Sequence, residues 1–204
     1  DLTGGVPNVQ STTGATVINS TWGPVEKRVK LSSEQQLVDV FGAPDSATTL
    51  SFHRANFFLK YSNSLQTVRV IDSVAKNAVS TTGQTAAATP PAEVVKNEDD
   101  FNSQLSSLDT DLHTFIAKYP GTLGNSLQVS LCPYSVGDSA FGTWAYKNEF
   151  DAAPGTSDFA SKNNALNDEV HVAIIDKGGK FTGTKGTILE RYAFASLGSN
   201  AKNA

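Results

Sequence analysis

The side chains most able to do chemistry in this sequence are three histidines, one cysteine and a few serines and carboxylates. His53, His113 and His171 lie far apart, and no two of them show the spacing of metal ligands on a helix or turn. His113 falls on the polar flank of a predicted helix, and His171 alternates with Val170 and Val172 on a predicted strand, so all three read as solvated or half-buried imidazoles. "GDSAFG", Gly137 to Gly142, comes close to a nucleophile elbow, but it spaces as G-x-S-x-x-G and is expected to lack a preceding strand and a following helix. "GGKFTGTKGT", Gly178 to Thr187, follows a strand as a phosphate loop should. Yet Thr184, not Lys, follows Gly183, and a β-type run comes next, so it reads as a hairpin turn. The trio Glu98, Asp99 and Asp100 has no further oxygen ligands in register and reads as charge placed at a helix start. Cys132 stands beside Pro133 at a strand end without a neighbouring base, and reads as buried and inert. No catalytic, cofactor-binding or metal-ligating residue is nominated, and no cofactor is expected.

The elements that carry these residues follow from periodicity. Val6 to Gly14 reads as an arm, Gly14 to Pro24 as a strand ended by a Gly-Pro turn, and Val25 to Leu31 as an exposed strand. Ser32 or Ser33 caps a helix with Gln35 or Gln36 three positions on, Leu37, Val40 and Phe41 share its face, and Gly42 in a left-handed conformation and Pro44 end it. A second helix is predicted from Thr49 to Asn63, with Leu50, Arg54, Phe57, Phe58 and Tyr61 along one side. A strand from Leu65 to Asp72 precedes an Ala-, Thr- and Pro-rich stretch, Ser73 to Glu98, read as a linker or surface insertion. From Glu98 to Gly121 apolar residues, Phe101 through Tyr119, recur at spacings of four and three, including Leu105, Leu108 and Leu112, and predict one long amphipathic helix. Strands are predicted at Asn125–Cys132, Asp168–Asp176 and Thr187–Leu197, with an irregular stretch from Pro133 to Asn167. The expected fold class is therefore α+β, or loosely mixed α/β, with mixed sheets and flanking helices. The expected divisions are 1–72, a linker at 73–98, and 99–204.

Composition narrows the functions. The 204 residues are 39% hydrophobic and 18% charged, enough for a packed core. A net charge of -4 gives no basic footprint for nucleic acid, and apolar runs such as Val170 to Ile175 are far short of a bilayer span. The chain contains no Met and shows no signal peptide, and is expected to be a processed or partial product whose ends are cuts. A single cysteine excludes an internal disulfide framework and fits a reducing origin, and the sequon at Asn19 is expected to be a chance match.

Six segments in one order resemble the contractile tail sheath protein of myophages. They are Thr21–Ser33 with its W-G-P turn, Glu34–Asp45 with an F-G-x-P helix end, and Arg54–Asp72 with N-F-F-L and V-R-V-I-D. Ala117–Leu131 with Y-P-G-T-L-G-N, Asp168–Tyr192 with a strand, F-T-G and a strand, and the trailing "SNAKNA" follow. The resemblance implies a structural subunit without cofactor or catalysis. Such subunits form six-fold rings stacked helically round a tail tube, and they contract to drive the tube through the host envelope. The implied partners are further copies of itself, the tail tube protein, and baseplate and tail terminator proteins, with no direct contact to nucleic acid or membrane. The implied location is the virion, with host cytoplasm during assembly. Family members are longer and end in a further domain, and their peripheral insertion would fall at Ala78–Asn97, where this chain is short. This piece is thus expected to be an outer portion that assembles poorly alone, lacking arms for strand exchange. Two other readings are a sheath of a related contractile injection system, such as an R-type bacteriocin or a type VI-like machine, and a hydrolase or ligand-binding domain with its site between Trp144 and Phe159.

Overall fold

The computed structural model describes residues 12–80, 94–104 and 115–198. They fall into two compact units, 1–125 and 126–204. Helices and mixed or antiparallel sheets occur together, as the α+β reading expects.

The first unit is organised by a three-stranded sheet of β1 (Gly14–Ile18), β2 (Arg28–Leu31) and β3 (Leu65–Arg69), in the order β1-β3-β2. β3 runs parallel to β1, with Gly14 opposite Leu65, and antiparallel to β2, with Leu31 opposite Leu65. Alternation along β3 turns Leu65, Thr67 and Arg69 inward. Helices α1 (Glu34–Phe41) and α2 (Thr49–Leu59) cover that face, and Ile18, Leu31, Leu37, Phe41, Phe52 and Leu65 form the core. Burying a side chain the size of Phe41, which is fully enclosed, stabilises by about 1.5–3 kcal/mol.

α1 starts as its sequence expects, with the Ser33 hydroxyl accepting from the Gln36 N–H at 3.2 Å. The Gln36 side chain reaches back one residue further than a capping box requires, and accepts from the N–H of Ser32 at 2.9 Å. Gly42 ends the helix at φ 80° and ψ 163°, so its backbone is not in the left-handed helical well but in a region open to glycine.

α2 corrects the sequence expectation. The helix stops at Leu59 rather than Asn63, and its core side is Phe52, Ala55 and Asn56. Of the residues read as lining one side, Phe58 packs against the core, while Leu50, Phe57 and Tyr61 are open to solvent at 64%, 59% and 90% exposed. Two apolar stripes run along this helix, and small Ala55 lets the backbone approach the sheet on the less conspicuous one.

The predicted long helix is also corrected. α3 is described over Glu98–Gln104, and Ile116–Pro120, read as a last helical turn, is strand β5. β5 pairs antiparallel with β4 (Asn77–Val79), which lies inside the stretch read as a linker, and Val79 faces Ile116. Pairing thus overrides the helical period at Phe115–Tyr119, because an adjacent strand supplies the partners that β-branched and aromatic side chains favour. Leu105, Leu108, Leu112 and His113 lie outside the described residues.

The second unit is an antiparallel sheet of β6 (Leu127–Pro133), β7 (Glu169–Asp176) and β8 (Thr187–Ser196), with β7 central. Short helices α4 (Ser139–Thr143) and α5 (Asp158–Lys162) interrupt the irregular connection between β6 and β7.

Candidate functional site

Three of the segments singled out by the sequence close on one another around Arg69. The alternation of β3 drives this residue into the first unit, where it is 1% exposed. Its Nε and Nη2 donate to the carbonyl of Ser20 at 3.1 and 2.7 Å, and its Nη1 donates to the carbonyl of Gly23 at 2.7 Å. These acceptors belong to the W-G-P turn, so a buried cation with neutral partners fixes that turn. Burial, which disfavours the charged form, pulls the guanidinium down to about 10. The Y-P-G segment packs on the same turn. Gly121 has φ 133°, and a Cβ there would stand 2.2 Å from the carbonyl oxygen of Thr21. Trp22 meets the edge of Tyr119 with ring centroids 5.3 Å apart. The sequence reading missed Arg69, although its place at i+4 from Leu65 and i+2 from Thr67 marks it as inward-facing.

The would-be reactive groups of the second unit are committed to internal bonds. His171 is corrected from solvated or half-buried to fully buried. Its ring stacks on Phe150 at 4.5 Å and 12°, and the edges of Phe194 and Phe141 complete an aromatic box. The backbone N–H of Phe194 donates to Nδ1 at 3.0 Å, and Nε2 lies 2.8 Å from the carbonyl of Ala152. Because a carbonyl only accepts, the proton resides on Nε2 and no ring nitrogen is left for a metal or substrate. The strand register between β7 and β8 shifts at this point, and Phe194 at φ 52° turns its N–H toward the imidazole. The aromatic stretch Trp144 to Phe159 is therefore filled by its own rings, with Trp144 Nε1 donating to Ser130 at 2.9 Å.

The glycine-rich loop after β7 does have convergent backbone N–H groups, but a carboxylate of the chain already occupies them. Asp176 accepts from the N–H of Lys180, Phe181 and Thr182 at 3.0, 2.9 and 2.9 Å, and from the Ser126 hydroxyl at 2.6 Å. Burial would push this carboxyl up, but the hydrogen bonds from Ser126 and Thr182 and the adjoining amides outweigh it and hold the pKa at about 2. Asp168 ties the start of α5 to the end of β8. It accepts from the N–H and hydroxyl of Ser157 at 2.8 and 2.7 Å and from the hydroxyl of Ser196. These bonds, that of Ser196 first, lower it to about 2.

The remaining candidates stand as follows. Ser139 does open a short helix, contrary to expectation, because Gly137 and Asp138 both take positive φ before it. Its side chain is exposed, and among the described residues no hydrogen bond joins its hydroxyl to a histidine or carboxylate. Cys132 is buried, and burial raises its thiol. The acidic trio sits in the first turn of α3. Asp100 bonds reciprocally with the preceding turn through the N–H of Lys96 at 2.8 Å and the side chain of Asn97 at 3.0 Å, and Asp99 pairs with Lys27 at 2.9 Å. His53 is exposed on α2. Among the described residues, no group of three His, Cys, Asp or Glu side chains is disposed to hold a metal ion, and no helix is long and apolar enough to cross a membrane.

Among the described residues the outer stripe of α2 stays exposed apolar surface. Comparison with known proteins gives this surface a context. A tail sheath protein of Salmonella phage ViI is 35% identical over 177 residues, covering 86% of this chain. The chain is a relative of phage tail sheath proteins. It spans about a quarter of that relative's length, 24%. A tail sheath protein of Vibrio phage KVP40 is 47% identical over 58 residues, 28% of this chain and 9% of its own. The tail sheath protein of Enterobacteria phage T4 is 33% identical over 89 residues, 38% of this chain and 14% of its own. A solved sheath tail protein from Listeria innocua aligns over 94% of this chain and 28% of its own at 12% identity, with a TM-score of 0.44. No family model matches.

Proposed function

We propose that this chain is part of the structural subunit of a contractile phage tail sheath. In this reading the subunits form hexameric rings stacked helically round the tail tube, and the sheath contracts to drive the tube through the host envelope. Its partners are other copies of the subunit, the tail tube protein, and baseplate and tail terminator proteins. It resides in the virion, after assembly in the host cytoplasm, and works without catalysis. The observation that carries the reading is the 35% identity to a tail sheath protein sustained over 86% of the chain. The internal commitment of His171, Asp168 and Asp176 agrees with it, since these groups hold loops rather than face a substrate. Phage sources of the three sheath relatives favour a phage tail over a bacteriocin or type VI-like machine.

The test is immunogold electron microscopy of the source particles with an antibody raised against this chain. Regular gold along the outside of extended or contracted tails is the expected result. Gold confined to baseplate or fibres, or found on no particle, overturns the assignment.

A further inference from the structure

The outer stripe of α2 is symmetric along its own length. Leu50, Arg54, Phe57 and Tyr61 follow one another at spacings of four, three and four, a series that reads the same in both directions. Leu50, Arg54 and Phe57 lie on α2 and Tyr61 follows just past its end at Leu59, after a C-cap residue that keeps helical dihedrals, so the four continue one ridge. Turn a second identical helix end for end about a point midway between Arg54 and Phe57, and the ridges match. Leu50 of each copy then meets Tyr61 of the other, and Arg54 of each meets the Phe57 ring of the other.

Both pairings are favourable. A guanidinium over a phenyl face is a cation–π contact, and Leu against Tyr is ordinary apolar burial. In the single chain these partners are missing. Leu50, Phe57 and Tyr61 are 64%, 59% and 90% exposed, and Arg54 is exposed with no ion pair among the described residues. Among the described residues the cation set over Phe57 is that of exposed Lys60, 5.4 Å from the ring centroid, with the His53 ring 6.1 Å away, and an incoming guanidinium takes the place of Lys60. No Asp or Glu occurs between Ser46 and Ser64, so no carboxylate on this helix competes for Arg54 or repels a facing aromatic ring.

We propose that α2 is a self-complementary docking surface whose occupant is a second copy of this chain, packed antiparallel about a two-fold axis. Isologous contacts of this kind close on themselves. A helical stack of subunits needs the opposite, a contact between copies that all point the same way. The pairing therefore belongs to the free subunit and covers its most apolar exposed helix before assembly. That consequence, though not the pairing itself, rests on the sheath reading. A contact of about three helical turns falls well below the ~1,200 Å² of a stable interface, so the dimer is weak, with a Kd on the order of 100 µM. The two Arg54 side chains lie near each other across the axis, so added salt screens their repulsion and strengthens the association.

Sedimentation equilibrium from about 5 µM to 1 mM tests this. The expected result is a mass rising from 21.6 kDa toward twice that value, and rising further at high salt. Arg54→Glu and Tyr61→Ser, both at exposed positions, are expected to weaken the dimer at least about tenfold, with circular dichroism unchanged. Under oxidation, an equimolar mixture of Leu50→Cys and Tyr61→Cys chains is expected to form the mixed disulfide well above either homodimer, while native Cys132 stays buried. A monomer at every concentration overturns the proposal and hands the stripe to another protein or to polypeptide outside these residues. Association unaffected by both substitutions, or a Leu50→Cys homodimer as abundant as the mixed one, overturns it equally. None of these outcomes bears on the gold labelling of tails, so the two readings fail separately.

Discussion

Replacing Arg69 with Met keeps the length of the side chain and removes its donors. In the native chain three N–H groups reach two carbonyls, those of Ser20 and Gly23, in a place where Arg69 is 1% exposed. Two opposing effects set the outcome. Leaving two enclosed acceptors without donors costs about 1–3 kcal/mol each. Against this, the variant no longer carries a charge into a dry site, a burden visible in the guanidinium being pulled down to about 10. The relief is partial, because the native hydrogen bonds already compensate most of the desolvation. The expected net loss is about 2–4 kcal/mol. Arg69→Lys should lose about 1–3 kcal/mol, since one ammonium cannot span both carbonyls as the planar fork does. Urea unfolding followed by far-ultraviolet circular dichroism measures both, with Trp22 fluorescence reporting whether the turn has opened. A loss below about 1 kcal/mol for Arg69→Met, or a gain, would refute the idea that these hydrogen bonds fix the W-G-P turn.

Gly121→Ala should be severe, about 3 kcal/mol or more, because φ is 133° and the new Cβ would stand 2.2 Å from the Thr21 oxygen; soluble yield and melting temperature measure it. Thr67→Val should stabilise by about 0.5–1.5 kcal/mol, because the buried Thr67 hydroxyl has no hydrogen-bond partner among the described residues, and urea denaturation decides the sign. Asp176→Asn should cost about 2–4 kcal/mol, since an amide turns a donor toward N–H groups that now meet a carboxylate. The pH profile gives the same residue a second test. Its folded pKa of about 2 lies below the ordinary 3.8, so its contribution is fully present above about pH 4 and is lost as pH falls toward 2. Acid denaturation should therefore be less steep in Asp176→Asn over that window, leaving the share that comes from Asp168, also lowered to about 2.

Local signals in the sequence carried local structure well. Ser33, Gln36 and Gly42 delimit α1 close to where the chain predicts, and alternation places β3, β7 and β8. Failures came where a distant partner decides. The spacing of Phe115, Ile116 and Tyr119 is compatible with a helix, and only β4, forty residues earlier in the chain, makes Ile116–Pro120 a strand. On α2 both stripes are apolar, and a periodicity cannot say which one meets the sheet. His171 was misjudged for a related reason, since its enclosure depends on Phe150 and Phe194, residues from two other segments. The resistance of the glycine-rich loop to a phosphate reading was legible, but the carboxylate filling it was not, because Asp176 belongs to the strand before it. The resemblance to sheath proteins was legible because it rests on short turn and helix-end motifs, the kind of signal that survives without knowledge of long-range pairing.

The parallel pairing of β1 with β3 also sets an order of events during synthesis. Gly14 must wait for Leu65, its register partner, and everything between them, including β2 and both helices, has to emerge first. At ~5–20 residues per second this delay is on the order of 3–10 s. Throughout it β1 is a bare strand with Ile18, fully buried in the folded chain, unshielded, while α1 and α2 can already form as a local pair. The nascent chain is therefore open to wrong pairing at β1, and slowing translation between Leu31 and Leu65 should lengthen that exposure and lower the yield of folded protein.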